Sequence, residues 1–268
     1  MKKALVIGCG NMGSAIATAL LEKQIFTRDT LHILERRENR QTLEMEGKGV
    51  AILKEFRDIT EHQELVILAV KPQDSPLVLQ ALAPHVNEDS LVISIMAGIT
   101  IKQLESYLPN SMIIRAMPNT PSAIQMGMTA YCGNSKVKPT DSAVAQVVLG
   151  GMGKAIETPN EAMIDSATAI SGSGPAYVFY LAEAMIEAAL EFGFGPKDAR
   201  DMVTQTLYGA AALLDGSSEE ARDLRIQVTS KGGTTEAALN TFDNEGIMAG
   251  LIKGIKAAKS RSEELGRG

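Results

Sequence analysis

The chain has 268 residues, 45% of them apolar, a formal net charge of -6 and two cysteines, enough to bury a full core in one large or two ordinary globular domains. No apolar run reaches the roughly 18 to 20 residues that span a bilayer, and Met1-Lys2-Lys3 leads straight into a strand without a signal-peptide core, so a cytoplasmic protein with no membrane partner is expected. The acid excess lies entirely in residues 159–268, with 10 basic and 16 acidic side chains against 16 and 16 in residues 1–158, and nothing resembles the basic footprint of a nucleic-acid binder.

In chain order, short β-rich apolar runs alternate with helical stretches, the pattern of a parallel sheet covered by helices. The runs are Ala4–Ile7, Leu31–Leu34, Leu65–Val70, Leu91–Ile95, Met112–Arg115 and Met128–Tyr131, with a short seventh at Ala155–Glu157. Leu65–Val70 is apolar throughout, as befits a strand buried on both faces. Cys9 lies in a glycine turn and Cys132 in a predicted strand, so neither a disulfide framework nor a metal-binding pair is suggested.

Gly8-x-Gly10-x-x-Gly13 follows the first run at once and opens a predicted helix, Ser14–Lys23. In that context the glycines read as a dinucleotide-binding turn. Gly8 permits the bend, Gly10 lets the backbone approach a pyrophosphate, and Gly13 allows close helix–strand packing. Ile7, Asn11 and Met12 complete this candidate cofactor grip, whose helix N-terminus offers free N–H groups.

The second run ends in Leu34-Glu35-Arg36-Arg37. Glu35 argues for NAD(H), because an acidic side chain there accepts hydrogen bonds from a ribose 2′-hydroxyl. Arg36, Arg37 and Arg40 argue for NADP(H), because arginines pair with a 2′-phosphate. The balance leans to NADP(H), with NAD(H) as the alternative. Ala69-Val70-Lys71-Pro72 and Met96-Ala97 lie at the C-terminal ends of their runs, the edge where open parallel sheets bind ligands, and are expected to line the cofactor groove. Simple exposure explains Lys71 equally well.

After Pro159 the β-branched runs give way to Ala-, Leu-, Met- and Glu-rich stretches with helical spacing. The division expected is residues 1–158, a Rossmann-type NAD(P)-binding domain, and residues 159–268, an all-helical domain for dimerisation and substrate binding. The predicted helices are Glu161–Ile170, Pro175–Phe192, Pro196–Leu214, Glu219–Val228, Thr234–Asn244 and Gly246–Leu265. In Ala176–Ala189 and Val203–Leu214 the apolar and small residues exceed one stripe, which fits burial against a second subunit or a central place within the monomer.

Hydride-transfer enzymes for hydroxy acids usually employ a histidine, but the three here are His32, His62 and His85, all before the helical domain. That domain offers two glycine–hydroxyl clusters instead, Ser171-Gly172-Ser173-Gly174-Pro175 and Thr229-Ser230-Lys231-Gly232-Gly233-Thr234-Thr235, each just before a helix. Successive N–H groups at such a junction can hold a small carboxylate, although ordinary helix caps use the same residue types.

Gly8–Gly13, Ala69–Pro72, Arg115-Ala116-Met117-Pro118-Asn119-Thr120-Pro121, Ser171–Ala176 and Val228–Ala237 together resemble the 1-pyrroline-5-carboxylate reductase family, in order over essentially the whole chain. The resemblance implies reduction of the cyclic imine of 1-pyrroline-5-carboxylate to L-proline, the last step of proline synthesis, by NADP(H) or NAD(H). It also implies a homodimer through the helical domain, often in a ring of dimers. Carried over by position, Thr235 is the catalytic candidate, hydrogen-bonded to the ring nitrogen. Ser230, Gly232, Gly233 and Thr234 join it in binding substrate, and Asn119 lies near the nicotinamide end. Lys231 departs from the proline frequent in the family's loop, and Glu35-Arg36-Arg37 departs from the small hydroxyl residues frequent at that strand end. Two rivals remain. A 3-hydroxyacid dehydrogenase would need a lysine where Val178 stands, and a non-catalytic NAD(P) sensor would bind coenzyme beside an unreactive cleft.

Overall fold

A computed structural model describes residues 3–267, with the side chain of Arg267 left aside. The chain divides into two compact units, residues 1–173 with 258–268, and residues 174–257.

The first unit is built on an eight-stranded sheet whose strands are β1 (Ala4–Ile7), β2 (Leu31–Leu34), β3 (Ala51–Leu53), β4 (Leu65–Leu68), β5 (Leu91–Ser94), β6 (Met112–Met117), β7 (Gly127–Gly133) and β8 (Gly153–Glu157). Their spatial order is β3-β2-β1-β4-β5-β6-β7-β8. All neighbours are parallel except β6 and β7, which pair antiparallel with Ala116 opposite Tyr131.

Alternate strand residues feed two cores, one on each face of the sheet. Val6, Ile67 and Ile93 meet Ile16, Leu20 and Leu149 on one side. Leu5, Val66 and Val92 meet Leu79, Leu82 and Leu104 on the other. A strand covered on both faces needs no polar alternation, which accounts for the unbroken apolar run in β4. The covering helices are α1 (Asn11–Glu22), α2 (Arg40–Gly47), α3 (Ser75–Leu82), α4 (Ile101–Tyr107) and α5 (Pro139–Gly150). Two of them start on reciprocal caps. Asn39 Oδ1 accepts from Thr42 N at 2.8 Å, and Gln103 Oε1 accepts from Thr100 N at 2.7 Å, satisfying first-turn donors that a helix cannot pair internally.

Two features of the sheet depart from expectation. β3 was not expected at all. It is three residues long, partly exposed and at the sheet edge, so it carries neither a long apolar run nor a clear alternation. The antiparallel β6–β7 pair arises because the link between them is a single 3₁₀ segment, Thr120–Ile124, too short for the crossover a parallel pair needs.

The first unit also extends past the change in sequence pattern at residues 158 and 159. The helix α6 (Ala162–Ala167) follows β8 and buries Ile164 completely. Arg115 on β6, 3% exposed, reaches Glu161 Oε1 at 3.0 Å and Asp165 Oδ1 at 3.1 Å. Glu161 Oε1 also accepts from Ile101 N at 2.7 Å, and Asp165 Oδ1 from Ser262 Oγ at 2.9 Å. This buried network ties the start of the helical sequence, and the end of the chain, to the sheet.

The second unit contains α7 (Gly174–Glu191), α8 (Pro196–Gly216), α9 (Ala221–Gln227), α10 (Thr234–Asn244) and the first part of α11 (Ile247–Arg267). Pro196 stands in the first turn of α8, where its missing N–H breaks no helical bond, and α7 and α8 pack against each other. Among the described residues of this unit only Ala189, Ala199 and Val203 are buried, while Phe179, Tyr180, Tyr208 and Leu213 are each more than 60% exposed. No helix among the described residues is long and apolar enough to cross a membrane.

Candidate functional site

The glycine turn runs from the end of β1 into α1. Gly8 has φ +96°, and a Cβ there would lie 2.7 Å from Ala69 O. At Gly13 a Cβ would lie 2.0 Å from Gly8 O, so helix and strand approach more closely than any side chain allows. Gly10 is different. A Cβ there would meet nothing within 4 Å, so packing does not demand glycine, and the bare backbone faces open space at the first turn of α1. That combination fits a pyrophosphate resting on the helix N-terminus.

A groove of about 580 Å³ lies along this edge of the sheet and is lined by Ile7, Gly8, Gly10, Glu35, Arg36, Ala69, Val70 and Lys71 among the expected residues. Leu34, Arg37, Phe56, Gln73, Asp74, Leu77 and Val78 complete it. Phe56, Leu77 and Val78 come from elements whose placement depends on β3 and α3, and only their apolar character could have hinted at them. Asn11, Met12, Gly13, Pro72, Met96, Ala97 and Asn119 do not line the groove. Asn11 is held beside it by Gln41, whose Nε2 donates to Asn11 Oδ1 at 2.9 Å. Met96 is 2% exposed and packs in the core with Leu68 and Leu104, so it supports the groove from beneath.

Glu35 is pinned from two sides. Its Oε2 accepts from the backbone N–H of Cys9 at 3.0 Å, and its Oε1 from Arg37 N at 3.2 Å. Burial, then the charges of Glu35 and Glu44, push the Cys9 thiol up to about 11, which makes it an inert neutral side chain within the turn. Arg40 is turned to its own helix, with Nε 2.9 Å from Glu44 Oε1.

Asn119 is engaged at both ends of its amide. Nδ2 donates to Ser171 O at 3.0 Å, and Oδ1 accepts from Met128 N at 2.9 Å. The Ser171 carbonyl is open to this bond because Pro175, four residues on, has no N–H to offer it. The segment Thr168–Gly172 forms a π-turn closed by Ser173 N donating to Thr168 O at 2.8 Å. The first glycine–hydroxyl cluster therefore serves a latch within the first unit.

The second cluster lies in the second unit, at the start of α10. Gly232 has φ +73°, and its N–H donates to Glu236 Oε2 at 2.7 Å. The N–H of Gly233 donates to Ser230 O at 3.0 Å. Gly233 is the N-cap, and the first bond of the helix runs from Ala237 N to Gly233 O at 3.2 Å. The N–H groups of Thr234, Thr235 and Glu236 thus stand at the open end of α10, unpaired within the helix and carrying its partial positive charge. The Thr235 hydroxyl sits beside them.

The sequence model described as pyrroline-5-carboxylate reductase dimerisation matches residues 161–265. A second, described as NADP oxidoreductase coenzyme F420-dependent, matches residues 3–98. The pyrroline-5-carboxylate reductase of Synechocystis sp. is 34% identical over 98% of this chain and 97% of its own length. This chain belongs to the pyrroline-5-carboxylate reductase family. The enzyme of Pseudomonas aeruginosa is 35% identical over 97% of this chain and 95% of its own. Among solved structures, the Coxiella burnetii reductase matches with TM-score 0.91 and 32% identity over 98% of both chains. The Plasmodium falciparum reductase, solved with NADP bound, matches with TM-score 0.87 and 28% identity over 98% of both chains.

Proposed function

We propose that this chain reduces 1-pyrroline-5-carboxylate to L-proline with a nicotinamide coenzyme, NADP(H) as in the Plasmodium falciparum relative or NAD(H). The observation that carries the reading is the open N-terminus of α10, with its glycine turn and Thr235, in a chain with reductase relatives along its whole length. When bound, the coenzyme would supply hydride to the carbon of the protonated C=N bond, the carbon that becomes Cδ of proline, and the ring nitrogen keeps its proton as the amine of proline.

Thr235 hydrogen-bonds that nitrogen through its hydroxyl and orients the ring. The substrate carboxylate rests on the first-turn N–H groups of α10 with Ser230 alongside, while Gly232 and Gly233, whose own N–H groups have internal acceptors, shape the turn. No histidine is needed, because an iminium is already an electrophile and the developing amine requires only positioning. Gly8, Gly10 and the helix entrance would hold the pyrophosphate, and Val70 and Lys71, which line the groove, would flank the coenzyme.

The exposed apolar faces of α7 and α8 support a homodimer through the helical unit, assembled further into a ring of dimers, and the absence of a spanning helix among the described residues accords with a cytoplasmic enzyme. Coenzyme oxidation in the presence of 1-pyrroline-5-carboxylate tests the reaction, and no turnover with either coenzyme refutes it. Thr235→Ala should lower kcat/KM by roughly 10- to 1,000-fold, the loss of one transition-state hydrogen bond, with coenzyme affinity unchanged. Equal loss of both would assign Thr235 a structural role.

A further inference from the structure

We infer that Glu35 is a specificity-determining residue that makes this chain prefer NADH over NADPH, a deepening that rests on the reductase reading for its coenzyme class. At the end of β2 an acidic side chain can either face a ribose or turn aside, and the geometry here removes the second choice. Glu35 Oε2 is the acceptor for Cys9 N at 3.0 Å, and Cys9 is 0% exposed. A buried N–H stripped of its acceptor is costly. Rotating the carboxylate away from the groove would impose that cost inside the turn that grips the pyrophosphate. The second bond, from Arg37 N at 3.2 Å, fixes the other oxygen.

A carboxylate offers about four acceptor positions, and these two bonds leave room for a ribose 2′-hydroxyl. A 2′-phosphate, by contrast, would bring a second anion against a charge that cannot withdraw. The cations nearby do not reverse this. Arg40 lies against Glu44 of its own helix at 2.9 Å, in an exposed pair, and does not line the groove. Arg36 and Arg37 do line it, but both are exposed and screened by water and salt, whereas Glu35 is half-buried. Asp74 adds further negative charge to the lining and Lys71 a cation.

The test is direct titration of the coenzyme-free protein with NADH and with NADPH, without substrate, following nicotinamide fluorescence. The wild type should bind NADH about ten-fold more tightly, equivalent to about 1.4 kcal/mol. Glu35→Gln keeps an oxygen for the Cys9 N–H and removes the charge, so the two affinities should become nearly equal. Glu35→Ser should move the ratio the same way, with a lower unfolding temperature. Equal or tighter NADPH binding in the wild type overturns the proposal, as does a ratio unchanged in the folded Gln variant or a uniform loss of both coenzymes. Failure to reduce 1-pyrroline-5-carboxylate would refute the reductase reading and leave this ratio standing.

Discussion

In residues 1–173 the strand β4 is buried from Leu65 to Leu68 and each sheet face has its own core, whereas in residues 174–257 only Ala189, Ala199 and Val203 are buried among the described residues. Both units carry large apolar side chains and dispose of them differently. The first closes on itself. The second displays Phe179, Tyr180, Tyr208 and Leu213 to solvent in the single chain. An element that leaves its large side chains outside depends on another surface for the burial that offsets chain entropy. The same contrast separates tasks, since the closed unit carries the proposed coenzyme groove and the open one the proposed substrate loop.

Three measurements bear on that contrast. The largest effect is expected from Phe179→Asp combined with Leu213→Asp. Two carboxylates on the display face should abolish the dimer, read as a monomeric mass by light scattering, and take reductase activity to background. A dimer of unchanged mass would show that these residues are merely exposed. Arg115→Met should come next. It leaves Glu161 and Asp165 without the cation they share, at a cost of about 3–5 kcal/mol in urea unfolding. A loss under 1 kcal/mol would mean that water already serves the carboxylates. The smallest effect concerns Cys9. With its thiol at about 11, the reactive thiolate is scarce at all ordinary pH and grows only as pH rises toward that value. Native protein at pH 8 should therefore resist disulfide-exchange reagents over hours, and urea should expose the thiol. Rapid native labelling would show that the glycine turn opens.

What the sequence made legible follows the range of the interactions involved. β1, the glycine turn and α1 could be read because periodicity and glycine spacing are local signals. β3 could not, since a three-residue edge strand exists only through its pairing with β2. The inclusion of α6 in the first unit depends on partners far along the chain, Arg115 with Glu161 and Asp165 above all. At the site, the identity of Glu35 was plain but its direction was not, because the Cys9 N–H that fixes it lies 26 residues away. Asn119 illustrates the same limit. Its motif marked it as important, while its partners, Ser171 and Met128, appear only once the π-turn and Pro175 have exposed a carbonyl.

The strand order also bears on synthesis. From β4 onward each new strand joins the sheet beside the one made just before it, out to β8, so a nascent chain leaving the ribosome lengthens one edge in the order of translation. Before β6 arrives that edge is β5, whose residues Leu91–Ser94 are buried along the whole strand in the finished protein. A translation product that stops between β5 and β7 would therefore present a sticky, unpaired strand. Pausing in that window should leave the chain in need of a chaperone, and fragments ending there should be recovered as aggregates.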